Sequence, residues 1–472
     1  MPLTLDHDGV ATAGEVRLLG SLPPELVLDT EGHTLGQDFV LDSRLRLGLA
    51  GRLKGWRLST EWDLFDGQLA GDPWDVRGEE DARDRQQVGV TDADSFSARR
   101  LAVDGKAGPV GIEAGLVTSH WGLGMVANDG AHDPVFGRAD FGDRVIRLRL
   151  ATRPAEKSPL VFVLAGDRVV EDDTADWGPL AGGEEAWQGI ASVLWAEERR
   201  KLGLYGVYRH QVEADGERTT DVGVLDLYGD ATLGTGDATL RVALEGAGIL
   251  GRTDRAQSYN ARDGLAVASA GVTGLAEARH AKSPGRVLLR AGWASGDGDP
   301  DDGASNAFAF DRDFDAGMVL FDEVQGAVDA ATYAQLTDPA HSGGAPDGAE
   351  ALVGEGALRG ATFVQPVLGV NPTKWLDVNA GTTLAWSTAP ISQSFATYRN
   401  GGVPANHLGE PTSGYWLGAE LDWAVTVGDA ELKTRGVTTR PALLVQGGHL
   451  IASADLGGGV HTLVTATGRL RW

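Results

Sequence analysis

From Phe39 to Leu64 the chain alternates apolar and charged residues one by one, over a longer stretch than a soluble strand normally runs. Phe39, Leu41, Leu45, Leu47, Leu49 and Leu53 share one parity, and Asp42, Arg44, Arg46 and Arg52 share the other. After Lys54-Gly55, Trp56, Leu58, Thr60, Trp62 and Leu64 oppose Arg57, Ser59, Glu61 and Asp63. Successive side chains of a strand point to opposite faces, so this segment predicts a hairpin with one oily face and one charged face, turned at Lys54-Gly55. The same grammar returns in Ile146, Leu148 and Leu150 against Arg147, Arg149 and Arg153, and in Leu240, Val242 and Leu244 against Arg241 and Glu245. It returns again in Leu417, Ala419, Leu421 and Trp423 against Glu420 and Asp422, and in Val464, Ala466, Leu470 and Trp472 against His461, Arg469 and Arg471. Such strands exceed the roughly five or six residues usual in soluble sheets and match the roughly nine to eleven that cross a bilayer at a tilt.

Composition narrows the choice. A length of 472 residues suits several ordinary domains or one large barrel. With no cysteine, disulfides and thiolate metal sites are excluded. No run approaches the roughly 20 apolar residues of a membrane helix, so any crossing of a bilayer is made by strands. A formal charge of −26 argues against nucleic acid as a partner, because phosphate binding needs a basic footprint. The opening MPLTLDHDGV has no basic segment followed by an apolar core, so a barrel reading requires a leader that was removed or omitted.

Short and long connections alternate along the chain. Tight turns are expected near Gly108-Pro109, Arg153 to Pro159, Arg199 to Lys201, Gly234 to Gly236, Lys282 to Gly285, Asn371 to Thr373 and Gly428 to Glu431. Long ones are expected at 21–37, 70–94, 122–141, 172–183, 252–261, 297–353, 389–412 and 447–457, with a shorter one at 215–218. This asymmetry predicts an all-β, transmembrane antiparallel β-barrel of about 18 strands, with 16 as the alternative, bearing short periplasmic turns and long extracellular loops. Residues 1–13 are read as a periplasmic extension and 14–472 as a single barrel with a long loop at 297–353. Tryptophans 56, 62, 375, 386, 416 and 423 fall mostly near strand ends, which suits the headgroup layer, with ordinary core packing as the plain alternative.

Three resemblances add to this. Leu470 and Trp472 at the end of the last strand resemble the C-terminal signal of bacterial outer-membrane barrels, which implies recognition by the barrel-assembly machinery; Thr467 stands where that signal usually has glycine. The stretch Leu116 to Arg144, with SHWGLG at 119–124, Asn128 to Gly130 and Gly142 to Arg144, resembles a family of myxobacterial-type outer-membrane proteins, as does Ser295 to Val324. The whole-chain plan is similar to the alginate-export family of 18-stranded porins, which implies an arginine-lined lumen conducting an anionic saccharide. The inward set would be Arg44, Arg46, Arg52, Arg57, Arg147, Arg149, Arg241, Arg290, Arg469 and Arg471. Two readings of that set stand: guanidinium groups that concentrate anions, or a structural ladder paired with Asp42, Glu61, Asp63, Asp226, Glu245, Glu420 and Asp422.

Asp297, Asp299 and Asp301 place oxygen ligands at every second position, which suits calcium, although the run is not an EF-hand and solvated acid is the plain reading. Residues 322–336 have helical composition inside the longest loop and are expected to cap or enter the pore. Ser119-His120 and His132-Asp133 are the candidates for hydrolysis, but neighbours on a strand face apart, and no nucleophile elbow, zinc motif or phosphate loop is found. The sequence therefore predicts a monomeric, non-enzymatic outer-membrane channel in contact with lipid and lipopolysaccharide. A structural or surface-binding barrel and an outer-membrane lipid hydrolase are the alternatives.

Overall fold

Lys54 and Gly55 both have positive φ, 52° and 83°, the geometry of a two-residue turn whose twist matches the strands it joins. The strands on either side follow the alternation read from the sequence, and this hairpin is the repeating unit of the fold. The computed structural model describes residues 9–28, 32, 34, 38–72, 96–138, 142–178, 182–214, 216–234, 236–255, 261, 263–299, 302–329, 356–434 and 437–472. Of 22 strands among them, four short ones lie in connections and the other 18 form the wall.

The wall strands are β1 (Gly9–Leu22), β2 (Val40–Leu53), β3 (Trp56–Gly71), β4 (Phe96–Ala107), β5 (Val110–Thr118) and β6 (Arg144–Thr152). Then come β7 (Leu160–Asp172), β8 (Glu185–Ala196), β9 (Arg200–Val212), β10 (Thr219–Leu233), β11 (Ala238–Thr253) and β12 (Leu265–His280). The last are β13 (Gly285–Ala294), β14 (Ala361–Thr373), β15 (Leu376–Ser387), β16 (Trp416–Gly428), β17 (Val437–Ala452) and β18 (Val460–Arg471). Each pairs antiparallel with the next, and β18 pairs back onto β1 with Val16 opposite Leu470 and Arg17 opposite Arg469, so the sheet has no edge. At this seam the Trp472 ring lies against Gly14, where a β-carbon would come within 2.1 Å of it. Only glycine leaves room for the terminal ring to seat on the first strand.

Leu58, Leu148, Leu164, Leu202, Leu244, Leu368 and Ile451 stand exposed around the outside, while Ser59, Asp63, Asp167, Glu245 and Glu420 are buried inside. An apolar belt of this extent is incompatible with water and is what a barrel presents to lipid, which places the chain in a bacterial outer membrane. Trp386 and Trp416 meet on adjacent strands at 5.0 Å in that belt.

Three boundaries differ from expectation. The first strand begins at Gly9 rather than Gly14, so 9–13 belong to the wall. Asn371-Pro372 is not the turn: the chain stays in β14 with a register shift between Val370 and Thr373, and it turns at Lys374-Trp375. Proline has no amide to give a ladder, and an irregular register near a strand end accommodates it. Gly447 and Gly448 lie within β17 rather than in a loop. Their missing side chains admit the Trp423 ring and Val319, which a β-carbon would approach to 2.6 and 2.7 Å.

The described parts of two long connections, L3 (119–143) and L7 (295–360), turn inward. Phe308, Phe310, Phe314, Met318, Val319, Leu320 and Phe321 of L7 join Met125 and Phe136 of L3 and the wall residues Phe363, Val367, Leu417 and Leu450 in one buried apolar cluster. The hydrophobic core of this protein is inside its barrel. The start of the helical segment expected at 322–336 is found as a π-helical turn, Leu320–Gln325, buried in that cluster and followed by α-helical residues 326–329; residues 330–336 lie outside the described residues.

Candidate functional site: the lumen and its inward loops

The alternation that sends leucine outward sends arginine inward, and most of these arginines meet a carboxylate on a neighbouring strand. Arg46 donates two bonds to Asp63 at 2.6 and 2.7 Å, and Arg147 two to Asp167 at 2.8 and 2.6 Å. Glu15 receives Arg44 at 2.8 Å and Arg471 at 2.6 Å. Arg57 pairs with Asp104 at 2.8 Å, Arg149 with Glu113 at 3.1 Å, and Arg241 with Asp230 at 2.7 Å. Arg469 reaches Asp133 of L3 at 2.8 Å. Arg290 is held by Gln365 at 2.9 Å and the Asp315 carbonyl at 2.6 Å. Arg52 sits at the periplasmic end of β2, opposite Gly9 and Arg57.

Several wall acids have another task than the expected pairing with wall arginines. Trp121 of L3 donates its indole N–H to Asp226 at 2.7 Å and stacks on Tyr205 at 4.8 Å, and the Leu123 amide donates to Glu245. Glu420 accepts from the amides of Met318, Val319 and Leu320 at 2.5, 2.8 and 2.9 Å. Asp311 and Asp313 of L7 in turn accept from the amides of Asn128 at 2.9 Å and Gly142 at 2.6 Å. Acidic side chains thus satisfy the orphan amides of two loops that have left the water. Burial, with Asp311 close by, pushes the Asp143 carboxyl well up; burial, with Asp173 and Asp313, does the same to Asp311.

Among the described residues a cavity of 510 Å³ lies open beside β1 and β14–β18. Its lining begins at Pro23 and Val40, at the extracellular ends of β1 and β2, and ends at Lys374 and Asp429, in periplasmic turns. Arg17, Arg138, Arg286, Arg312, Lys374 and Arg469 face it together with acids that include Asp42, Asp133, Asp315 and Asp377. Of these cations only Arg469 belongs to the inward set expected from the sequence. Arg138 and Arg312 are on loops, where no periodicity marks them. A second cavity of 270 Å³, lined by Asp143, Asp172, Arg209, Arg255 and Asp311, lies on the other side of the apolar cluster.

The other expected sites fare differently. The Asp297 carboxylate accepts from the amide of Asp299 at 3.0 Å, as an Asx turn does, and from the amide of Asn306 at 2.9 Å; Asp301 lies outside the described residues. The hydrolase pairs are not assembled. The Ser119 hydroxyl accepts from Arg147 at 3.0 Å, and Asp133 binds Arg469 and Arg471, while His132 turns to Asp129. Adjacent residues of one chain again face different partners.

Strand number, closure, loop asymmetry and apolar belt together define an outer-membrane β-barrel of porin size. Similar solved structures are channels of that kind from Pseudomonas aeruginosa. OprD matches at 11% identity and a TM-score of 0.53, covering 98% of this chain and 95% of its own. OpdL matches at 9% and 0.53, covering 98% of each chain, and OpdK, solved with vanillate, at 12% and 0.52, covering 98% and 99%. At this identity the likeness carries the fold. No family model and no curated protein matches the sequence, so the likeness of the SHWGLG stretch to myxobacterial-type proteins rests on those residues alone.

Proposed function

We propose that the protein is a passive channel for small carboxylate-bearing solutes, which follow the cavity along β1 and β14–β18. The observation that supports this most is the run of that cavity from the extracellular ends of β1 and β2 to the periplasmic turns, with guanidinium groups along it. Arginine matches a carboxylate with two parallel bonds, and in a confined space it raises the local anion concentration. At 510 Å³ the cavity has the size of a small-molecule site, roughly 300–1,000 Å³, which favours a small anion over the saccharide polymer that the alginate-export likeness implies. Vanillate, the carboxylate present with OpdK, is a solute of that size. The acids interleaved with the arginines make the expected preference for anions modest.

The test is a planar-bilayer recording under a salt gradient, with vanillate as competitor. Open steps, a reversal potential on the anion side and block by vanillate support the reading; conduction that favours cations overturns it. The apolar cluster in the lumen favours a second reading, a barrel that L3 and L7 keep shut. Inserted protein that stays silent, and conducts once 322–348 are deleted, would establish that one.

A further inference from the structure

L3 leaves the wall at Ser119 and returns at Asp143, and its two arms are stitched together by backbone bonds. The Ser119 amide donates to the Asp143 carbonyl at 3.0 Å, Trp121 to Ala127 at 3.1 Å, and Asp143 to Asn128 at 2.7 Å. This brings His120, on the outgoing arm, beside Asp129 and His132. The two imidazoles stack with centroids 4.2 Å apart. Nδ1 of His132 lies 3.0 Å, and Nδ1 of His120 3.9 Å, from the same Asp129 Oδ1. One donor atom from each of the three residues falls within 4.8 Å of the others, the one such group of histidine and acid among the described residues.

We propose that His120, Asp129 and His132 form a binding site for a divalent transition-metal ion of the zinc class, inside the barrel. Bonds of about 2.0–2.1 Å place the ligand atoms of a tetrahedral ion about 3.3 Å apart, so the observed spacings need only small side-chain rotations to close on one. Two imidazole nitrogens and one carboxylate oxygen suit Zn²⁺, Ni²⁺ or Cu²⁺, whereas Ca²⁺ and Mg²⁺ take oxygen.

The set is also held from behind, as ligands of a working site are. The Asp129 carbonyl accepts from buried Arg99 at 2.7 Å, and its Oδ1 accepts from the Ala131 amide at 3.0 Å. Gly130, at φ 60°, lets the chain double back tightly enough for Asp129 and His132 to meet. The His132 side chain is 63% exposed, which leaves a side of the site open. Three protein ligands give an ion a vacant position for water or for a carboxylate oxygen of a passing solute. The ordinary account, a His–Asp ion pair with a second imidazole stacked on it, predicts no metal affinity, and that separates the two. The site stands whether or not the lumen conducts.

The experiment is titration of tag-free, folded protein in detergent with Co²⁺, followed by its visible d–d absorption, and with Zn²⁺ by calorimetry. One ion per barrel is expected, with the tetrahedral cobalt band displaced by Zn²⁺. His120→Ala, His132→Ala and Asp129→Asn should each weaken binding by at least about tenfold, the loss that even outer partners of a metal site produce when removed. His210→Ala, which breaks a wall His–Asp pair, should leave it unchanged. Heat-modifiable migration confirms folding, and the exposed His132 carries the comparison if a buried substitution fails to fold. No saturable binding, or binding that survives His132→Ala, overturns the site.

Discussion

Replacing Glu420 by glutamine should undock L7 from the wall without opening the barrel. Glu420 is fully buried, and its two oxygens accept from three consecutive amides of L7, those of Met318, Val319 and Leu320. Glutamine keeps the shape but leaves one acceptor and turns the other oxygen into a donor that faces amide N–H groups. A hydrogen bond to a charged group contributes about 1.5–3 kcal/mol, so losing one or two of the three costs roughly 2–5 kcal/mol of docking energy. The loss falls on L7, because the strand ladder of β16 is untouched. At about 1.4 kcal/mol per factor of ten, the undocked population should rise at least roughly 30-fold. Arg312, whose side chain is 7% exposed in the docked loop, reports this directly. Where opening is fast relative to cleavage, the rate of tryptic cutting after Arg312 follows the open population, and mass spectrometry of the released peptide measures it. A Glu420→Gln barrel that migrates as folded and is cut after Arg312 no faster than wild type would refute the anchoring role.

Two further outcomes are expected. Gly14→Leu drives a side chain into the Trp472 ring, which a β-carbon would already meet at 2.1 Å, and overpacking of this kind costs about 1–3 kcal/mol. The barrel should lose its heat-modifiable form at a lower temperature, and unchanged melting would mean that the ring is not seated on the seam. The pKa of Asp311 is raised above its ordinary value, first by burial and then by Asp173 and Asp313. A raised acid contributes docking stability that is complete below the ordinary range near ~4 and is lost as pH rises through the raised value. L7 should therefore become easier to cut after Arg312 as pH rises, and Asp311→Asn, which stays neutral, should flatten that dependence. Parallel pH profiles in wild type and variant would rule this out.

The wall was legible because each of its features is periodic or local. Leu47 beside Arg46 needs only the two-residue repeat of a strand, and Lys54-Gly55 needs only a turn with positive φ. The lumen was not legible, because the partners there are distant in sequence. The alternation of Glu420 and Asp422 correctly gives the side they face but does not distinguish an arginine from a backbone amide of L7, 100 residues away, as the receiving group. Phe308, Phe310 and Phe314 sit in an acid-rich run that reads as an outer loop, and only the closed wall shows that they are buried inside it. Gly447 and Gly448 look like turn residues for the same reason: the ring and the methyl groups that need their space lie elsewhere in the chain. His120, Asp129 and His132 match no short ligand motif, and the backbone stitching of L3 is what gathers them.

This division bears on where selectivity resides. Strand arginines such as Arg46 and Arg147 are held bidentately by acids of the same wall, so each pair presents little net charge to a solute. The cations that line the cavity at its periplasmic end and on its loop side are Arg286, Lys374, Arg138 and Arg312. Arg138 and Arg312 reach it only because L3 and L7 fold inward. They too are paired, Arg138 with Asp42 at 3.2 Å and Arg312 with Glu171 and Asp173 at 3.4 Å, so on the channel reading it is their place on the cavity lining, which does not include Arg46, that makes their exchange alter ion preference more than exchange of Arg46. On that reading the inward loops set the chemistry of the cavity, while wall pairs such as Arg46 with Asp63 and Arg147 with Asp167 hold the barrel that carries them.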